Sequence, residues 1–137
     1  MNRKKVRVFI ERASDGDYSA YMPDEDNLSY GIIGTGHTID ETLKDFNAAY
    51  EGMKAYYASE DKPFEEVEFE FSYDIPSFLS YYSDKLSLAG LERITGVAQG
   101  QLSHYVTGRR NPSKRTVEKI QSALQQFGKE LSNVHFV

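Results

Sequence analysis

Apolar and polar residues alternate in several short segments of the first 74 residues, as they do in half-buried β-strands. In the segment VRVFIER (residues 6–12), Val6, Val8 and Ile10 fall on one side, and Arg7 and Glu11 on the other. Short runs of turn-forming residues, such as SDGD, separate the alternating segments. This pattern predicts strands at Lys5–Arg12, Tyr18–Met22 and Glu66–Phe71, and the short apolar segment Tyr30–Gly34 supplies a further predicted strand.

One helix interrupts this series of strands. Thr38 and Glu41 have the spacing of a capping box, in which a hydroxyl and a carboxylate satisfy free amide groups where a helix begins. Apolar residues then recur at spacings of three and four, which favours a helix packed on a sheet. They are Leu43, Phe46, Tyr50, Met53 and Tyr57. The predicted fold of this half is α+β, with the order β-β-β-α-β and an antiparallel sheet.

The second half of the chain has helical spacing throughout and no alternating segment. It predicts helices at Phe78–Ser83, Leu88–Thr95, Gln99–Thr107 and Ser113–Ser132. The change of period places a domain boundary near Tyr73–Pro76. We therefore expect an α+β domain at residues 1–74 and an all-α domain at residues 75–137.

The two predicted domains carry opposite charge. Residues 1–74 contain 8 Lys and Arg against 17 Asp and Glu, a net of -9, and residues 75–137 contain 8 against 4, a net of +4. Partners of opposite sign are therefore expected for the two halves. The absence of cysteine excludes disulfides and thiolate metal sites. No apolar run approaches the length of a membrane span, so we expect a cytoplasmic protein with no membrane partner.

The segment between Leu88 and Val106 has the spacing of two short helices joined by a glycine turn. Gly96 supplies the positive φ of a tight turn, and Val97 and Leu102 are placed to pin the second helix against the first. The other face of the second helix is small or polar and lacks acidic residues, which suits a helix that reads base edges. Four cations follow the helix, where the chain would meet the DNA backbone. They are Arg109, Arg110, Lys114 and Arg115.

The segment LAGLERITGVAQGQLSHYVTGRRNPS resembles the XRE-type helix-turn-helix of phage repressors, including its closing Gly-x-Arg-x-Pro-Ser. The resemblance implies that Gln99, Gln101 and His104 face bases of a double-stranded DNA operator. It implies phosphate contacts for Ser87, Arg109, Arg110, Lys114 and Arg115. Glu92 departs from the family pattern, which has a small residue there, and its carboxylate either tilts the two helices or points outward.

The N-terminal half resembles the HicB-type antitoxins in VRVFIER, DYSAYMPD and GIIGTGHTIDETLKDFNAAYEGM. The resemblance implies a partial ribonuclease-H-like fold that binds and blocks a small, basic, mRNA-cleaving toxin of the HicA type. An acidic surface suits such a partner, because it can occupy the place of RNA phosphates. The candidate contact residues are Asp24, Glu25 and Asp26 in a loop, and Glu66, Glu68 and Glu70 on a strand face. Each is alternatively a solubilising surface charge.

Enzymatic interpretations have weaker support, and we expect no catalytic residue, cofactor or metal. The segment GTGHTI at residues 34–39 lacks the third glycine of a dinucleotide-binding loop and is more typical of a turn. The histidines, His37, His104 and His135, do not have metal-ligand spacing. A nuclease would need a metal bound by Asp15, Asp17, Asp24 and Asp26, which are more typical of turns.

The last helix continues its apolar stripe to the end of the chain, where Phe127, Leu131 and residues 134–137 exceed what a small domain can bury. The hypotheses are a two-fold dimer, extendable to a tetramer, or a simple core helix. Together these patterns predict an antitoxin that sequesters a ribonuclease toxin and represses its own operon. The alternative is a stand-alone transcriptional regulator whose first domain senses a small molecule or oligomerises.

Overall fold

The computed structural model describes residues 3–24 and 27–137, which form a four-stranded sheet and five α-helices. Contacts divide the chain into two compact units, Met1–Phe78 (unit 1) and Leu79–Val137 (unit 2). The elements of unit 1 are β1 Lys4–Arg12, β2 Tyr18–Tyr21, β3 Ile33–Gly36, α1 Ile39–Ser59 and β4 Val67–Tyr73. The helix α2, Ile75–Tyr81, spans the division and is followed by α3 Leu88–Thr95, α4 Gln99–Val106 and α5 Lys114–Ser132.

The sheet of unit 1 is mixed, with the strand order β3-β2-β1-β4. The strands β1, β2 and β3 are antiparallel, but β4 pairs with β1 in parallel. The prediction of an antiparallel sheet is therefore wrong for β4. The chain crosses from β3 through α1 before β4 begins, and a helical crossover returns the next strand in the direction of β1. Alternation of side chains marks a strand but carries no information about the direction of its neighbour.

The core of unit 1 lies between α1 and one face of the sheet. Val6, Val8 and Ile10 of β1 are fully buried, as their alternation predicts. From α1, Phe46 and Tyr50 pack on this face, and both rings meet Phe69 of β4 edge-on, with centroids 4.9 and 5.1 Å away. Such edge-to-face pairs add to the stability that apolar burial provides. The predicted helical stripe therefore faces the sheet.

Two glycines of β3 allow the strand and the helix to approach closely. A Cβ on Gly34 would lie 2.6 Å from the backbone nitrogen of Phe46, and a Cβ on Gly36 would lie 2.7 Å from that of Thr42. The Gly-Thr-Gly sequence thus belongs to a helix-packed strand, which begins at Ile33 and not at the predicted Tyr30. Tyr30 instead stacks on Phe64, with centroids 4.6 Å apart, in an aromatic cluster outside the strand.

The start of α1 has the predicted cap with one difference. Thr38 Oγ1 accepts the N–H of Glu41 at 3.1 Å. In a full capping box the Glu41 carboxylate would accept the N–H of Thr38. Here Glu41 Oε2 accepts the N–H of His37, one residue earlier, at 2.8 Å. The side chain therefore secures the chain between β3 and α1 as well as the helix end.

Unit 2 is helical, and α3 contacts both α4 and α5. Five of its buried side chains come from α3, α4, α5 and the turn between α3 and α4: Leu91, Val97, Leu102, Tyr105 and Ile120. The apolar spacing between Leu88 and Val106 predicted the buried positions of α3 and α4 and of Val97, the residue after the turn. Ile120 adds the first half of α5 to the same core. Burial of these five side chains is the main source of stability for so short a helical unit.

Candidate nucleic-acid interface

The turn between α3 and α4 is fixed by backbone geometry and a buried threonine. Gly96 ends α3 with φ +74°, and its N–H donates to the carbonyl of Glu92 at 2.7 Å. The hydroxyl of Thr95 donates to the Leu91 carbonyl at 2.7 Å and accepts the N–H of Val97 at 3.1 Å. A residue with a side chain is strained at the φ of Gly96. These bonds set the direction in which α4 leaves the turn.

One face of α4 is buried and the other is available to a ligand. Leu102 and Tyr105 are buried against the unit. Gln99 and Gln101, both predicted to read bases, are exposed, whereas the third predicted reader, His104, is half-buried. Exposed glutamine side chains offer a donor and an acceptor, the pattern that adenine complements in the major groove. The structure therefore brings these two glutamines to the accessible face of α4.

The basic loop after α4 is held against the end of that helix. Gly108 adopts φ +75°, and the carbonyl of His104 accepts the N–H groups of Arg109 at 2.9 Å and Arg110 at 3.3 Å. Both guanidinium side chains are exposed, as are Lys114 and Arg115 in the first turn of α5. These bonds hold the main chain of both arginines in place and leave their guanidinium charges in solvent, where a phosphate can contact them.

Ser87 has a structural contact in addition to its predicted role. Its Oγ accepts the N–H of Gly90 at 3.0 Å and caps α3. Ser113 caps α5 in the same way, by accepting the N–H of Thr116 at 3.2 Å. Both serines are exposed. Phosphate contact by Ser87 stays a prediction, since an exposed helix start is a common place for a phosphate oxygen.

Glu92 makes a contact that the sequence did not reveal. Its Oε1 accepts the backbone N–H of Gln99, the first residue of α4, at 2.6 Å. The residue at the N-cap of α4 is Ala98, whose methyl group cannot accept a hydrogen bond. The sequence predicted that the Glu92 carboxylate either tilts the two helices or points outward. The outward prediction agrees with its exposed side chain, which reaches across the turn to cap α4. The sequence signal for this contact was Ala98, because the N-cap position of a helix usually carries a side chain that accepts a hydrogen bond.

These features form a bihelical DNA-binding geometry, with a fixed glycine turn, an exposed polar face and a cationic loop. A helix-turn-helix family model matches residues 84–126. This segment is an XRE-type helix-turn-helix. No curated protein and no solved structure matches the chain. The helix-turn-helix makes the chain a DNA-binding transcriptional regulator, while the match lies outside unit 1 and assigns nothing to it.

The acidic residues proposed for partner binding lie outside the helix-turn-helix, and ion pairs hold most of the described ones. Asp24 accepts both Nε and a terminal nitrogen of Arg7, at 2.7 and 3.0 Å, and the hydrogen bond from Arg7 lowers the pKa of Asp24. Glu66 contacts Lys54 at 2.6 Å and Arg3 at 3.4 Å. Its pKa is lowered, chiefly by the hydrogen bond from Lys54.

The other predicted acidic contacts divide into three cases. Glu70 pairs with Lys5 at 3.5 Å, and Glu68 is exposed on β4. Glu25 and Asp26 lie outside the described residues. The strand face is a mosaic of both signs, because Lys5 of β1 pairs with Glu70 of β4, and Arg3 and Lys54 pair with Glu66 just before β4. The sequence pattern of β4 alone did not reveal this, since the cations come from the start of the chain and from α1.

Two of the aspartates considered for a metal site, Asp15 and Asp17, form turn and loop contacts. Asp15 Oδ1 accepts the N–H of Asp17 at 2.9 Å, and Asp17 Oδ1 lies 2.6 Å from His37 Nδ1. Within residues 3–24 and 27–137, no three His, Asp or Glu side chains are grouped as metal ligands would be. Over the same residues, no helix has the length and apolar character needed to cross a membrane.

Proposed function

We propose that this DNA-binding regulator is the antitoxin of a type II toxin–antitoxin pair. In this proposal unit 1 binds and blocks a small, basic, mRNA-cleaving toxin of the HicA type, and the helix-turn-helix represses the operon that encodes both proteins. The observation that carries the proposal is the topology of unit 1. A sheet of order β3-β2-β1-β4, with one helix crossing over to a parallel strand, fits the partial ribonuclease-H-like fold that the HicB resemblance implies.

The charge of unit 1 supports a basic partner. Its net charge is -9, and ion pairs occupy three of the predicted contacts, Asp24, Glu66 and Glu70. Glu60, Asp61 and Glu65, at and after the end of α1, are exposed. A surface of this sign accelerates the encounter with a basic ribonuclease and competes with RNA for it. We therefore extend the candidate contacts from the six predicted residues to this segment.

A small-molecule sensor is the alternative, and the geometry gives it less support. One shallow cavity in unit 1 has a volume of about 150 Å³. Ligand pockets usually enclose roughly 300–1,000 Å³. The cavity lies at the carboxyl ends of β1 and β4 and is lined by Phe9, Ile10, Glu11, Ser72, Tyr73 and Asp74. Its size is suited to a few water molecules, so this cavity gives the sensor little support.

The proposed repressor is a homodimer formed through the end of α5 and the residues that follow it. Ile120 is buried, but Leu131, Val134 and Phe136 are 56%, 50% and 93% exposed. Together with Phe127 they form an apolar surface, which we call the α5 tail. We propose that a second copy of the chain covers the α5 tail. A two-fold dimer would place two recognition helices about 34 Å apart, which is the spacing of the half-sites of a palindromic operator.

The proposal is tested by identifying what the full chain holds in its native host. The wild-type chain and the variant Arg109→Ala/Arg110→Ala are each tagged and purified, and the co-purifying proteins are identified. The proposal expects the same small basic protein in stoichiometric amount with both, because the substitutions affect only DNA binding. Expressed alone, that protein should arrest growth and cleave mRNA, and co-expression of the chain should reverse both. A chain that retains DNA but no such protein is a plain repressor.

A further inference from the structure

The start of the DNA-reading helix carries a negative charge from another helix. Glu92, in the second turn of α3, reaches across the turn and accepts the N–H of Gln99 at 2.6 Å. The helix α4 has no acidic residue in its first turn and an alanine at its N-cap, so Glu92 supplies the acceptor that the local sequence lacks. Its side chain is exposed, and its charge therefore lies at the surface of the helix-turn-helix.

A helix start is also a position that binds phosphate. Its free N–H groups and the positive end of its dipole attract anions, and proteins use such positions to contact the DNA backbone. The residue that Glu92 caps, Gln99, is itself predicted to face DNA. A carboxylate bonded to the Gln99 N–H thus occupies an anion position that a DNA phosphate would otherwise contact, and it repels phosphates nearby.

We propose that Glu92 is a specificity-determining residue that acts as an internal substitute for a phosphate. It keeps α4 capped in the absence of DNA and weakens the sequence-independent attraction between the helix-turn-helix and the DNA backbone. Base contacts by Gln99 and Gln101 then make a larger relative contribution to binding, so that operator and random DNA are better separated. This inference rests on the DNA-binding function of the helix-turn-helix and adds to it the role of one carboxylate.

The test measures the affinity of the full chain for a labelled duplex of random sequence between about 50 and 200 mM NaCl, where counterion release is readily followed. Glu92→Gln keeps an oxygen that accepts the Gln99 N–H but removes the charge. It should bind the duplex roughly threefold to tenfold more tightly and increase the salt dependence by about one unit of slope. The control, Glu118→Gln, removes an exposed carboxylate from α5 and should match the wild type.

The salt dependence separates an electrostatic role from a purely structural one, because loss of a cap alone would weaken binding. If Glu92→Gln melts at a lower temperature than the wild type, the double variant Glu92→Gln/Ala98→Ser is measured in its place. The second substitution adds an uncharged cap at the start of α4. Equal affinity and equal slope for the folded variant and the wild type would overturn the inference and leave DNA binding intact. A wild-type chain that binds no duplex would overturn the DNA-binding function and this inference with it.

Discussion

Single hydrogen bonds at helix ends fix the geometry of the helix-turn-helix. Ser87 caps α3, Thr95 and Gly96 close the turn, and Glu92 caps α4. Each bond satisfies a backbone group that the helix itself leaves free, and one such cap typically contributes about 1 kcal/mol. The polar residues of the unit therefore divide into those that hold the turn and those that remain exposed toward a ligand.

Gln101 tests the assignment of base reading to the exposed face of α4. We expect Gln101→Ala to relax the sequence preference at one position of each half-site, with a loss of about 1–3 kcal/mol of discrimination, because one bidentate contact is removed. Selection of bound sequences from a random duplex library measures this directly. Gln125→Ala, an exposed glutamine of α5, is the matched control. An unchanged preference with uniformly weaker binding would assign Gln101 to a phosphate.

The contact between His37 and Asp17 predicts a pH effect on unit 1. The hydrogen bond to Asp17 raises the pKa of His37, and the charges of Asp17, Glu41 and Asp15 add to it. Its stabilising effect is full below the pKa of an unfolded histidine, about 6.5, and is lost as the pH rises through the raised folded value. Because the imidazole is 82% exposed, solvent screening keeps this effect small.

The measurement is an NMR titration of His37 in the wild type and in Asp17→Asn. We expect the variant to lower the pKa of His37 and to lose stability only on the acidic side of the transition. Asp84→Asn, in the other unit, is the control. A His37 pKa that is unchanged in Asp17→Asn would contradict the contact.

Whether a residue contact could be predicted from the sequence depends on how far apart its two partners lie along the chain. Thr38 was identified as a cap because its partner is three residues away, within one helical turn. Glu92 contacts a residue seven positions away, and only the geometry of the turn brings the two together. Likewise Arg3 and Glu66 meet only through the pairing of β1 with β4.

At the scale of elements, side-chain period determined the strands and helices, and connections determined how they assemble. The alternation of Val6, Val8 and Ile10 gave β1 and its buried face. The parallel pairing of β4 depends on the crossover through α1, which alternation does not encode. The start of β3 was displaced because Tyr30 is held by an aromatic cluster, a contact between distant residues. The helices α3 and α4 were predictable because their apolar spacing and the glycine turn between them are local signals.

The packing of β3 on α1 predicts opposite effects for two glycine substitutions. Gly34→Ala should destabilise the chain by about 1–3 kcal/mol, because the added Cβ would lie within 2.8 Å of three Phe46 atoms, two of them backbone. Gly52→Ala, within α1 and with open space around it, should stabilise the helix by up to about 1 kcal/mol. Denaturant unfolding of both variants measures the difference. Equal stability for the two would contradict the close approach.

At the scale of the whole molecule, two units of opposite charge match two kinds of partner. The basic unit carries the helix-turn-helix, and four of its eight Lys and Arg residues lie in one loop and the helix start that follows it. The acidic unit carries the sheet for which we propose a protein partner. Composition alone indicated this separation, since the two net charges of -9 and +4 are visible in the sequence. The mosaic of paired charges on β1 and β4 required the fold.

The α5 tail predicts a dimer that is sensitive to one charge. Leu131→Glu should convert the dimer to a monomer and weaken operator binding, because a carboxylate would be buried without a partner in the apolar interface. Light scattering after gel filtration measures the mass, and Gln125→Glu, exposed on the same helix, controls for added charge. A wild-type chain that remains monomeric at the concentration of half-maximal operator binding would contradict the proposed dimer.

DNA binding by the full chain to the sequence upstream of its own gene tests directly whether this chain is a sequence-specific regulator. We expect this duplex to be bound about a thousandfold or more tightly than a random duplex of equal length. Arg109→Ala/Arg110→Ala should weaken binding to both duplexes and lower the salt dependence by about two units of slope, while Lys44→Ala, exposed on α1, should match the wild type. Equal wild-type affinity for the two duplexes, or a double variant indistinguishable from the wild type, would contradict that role.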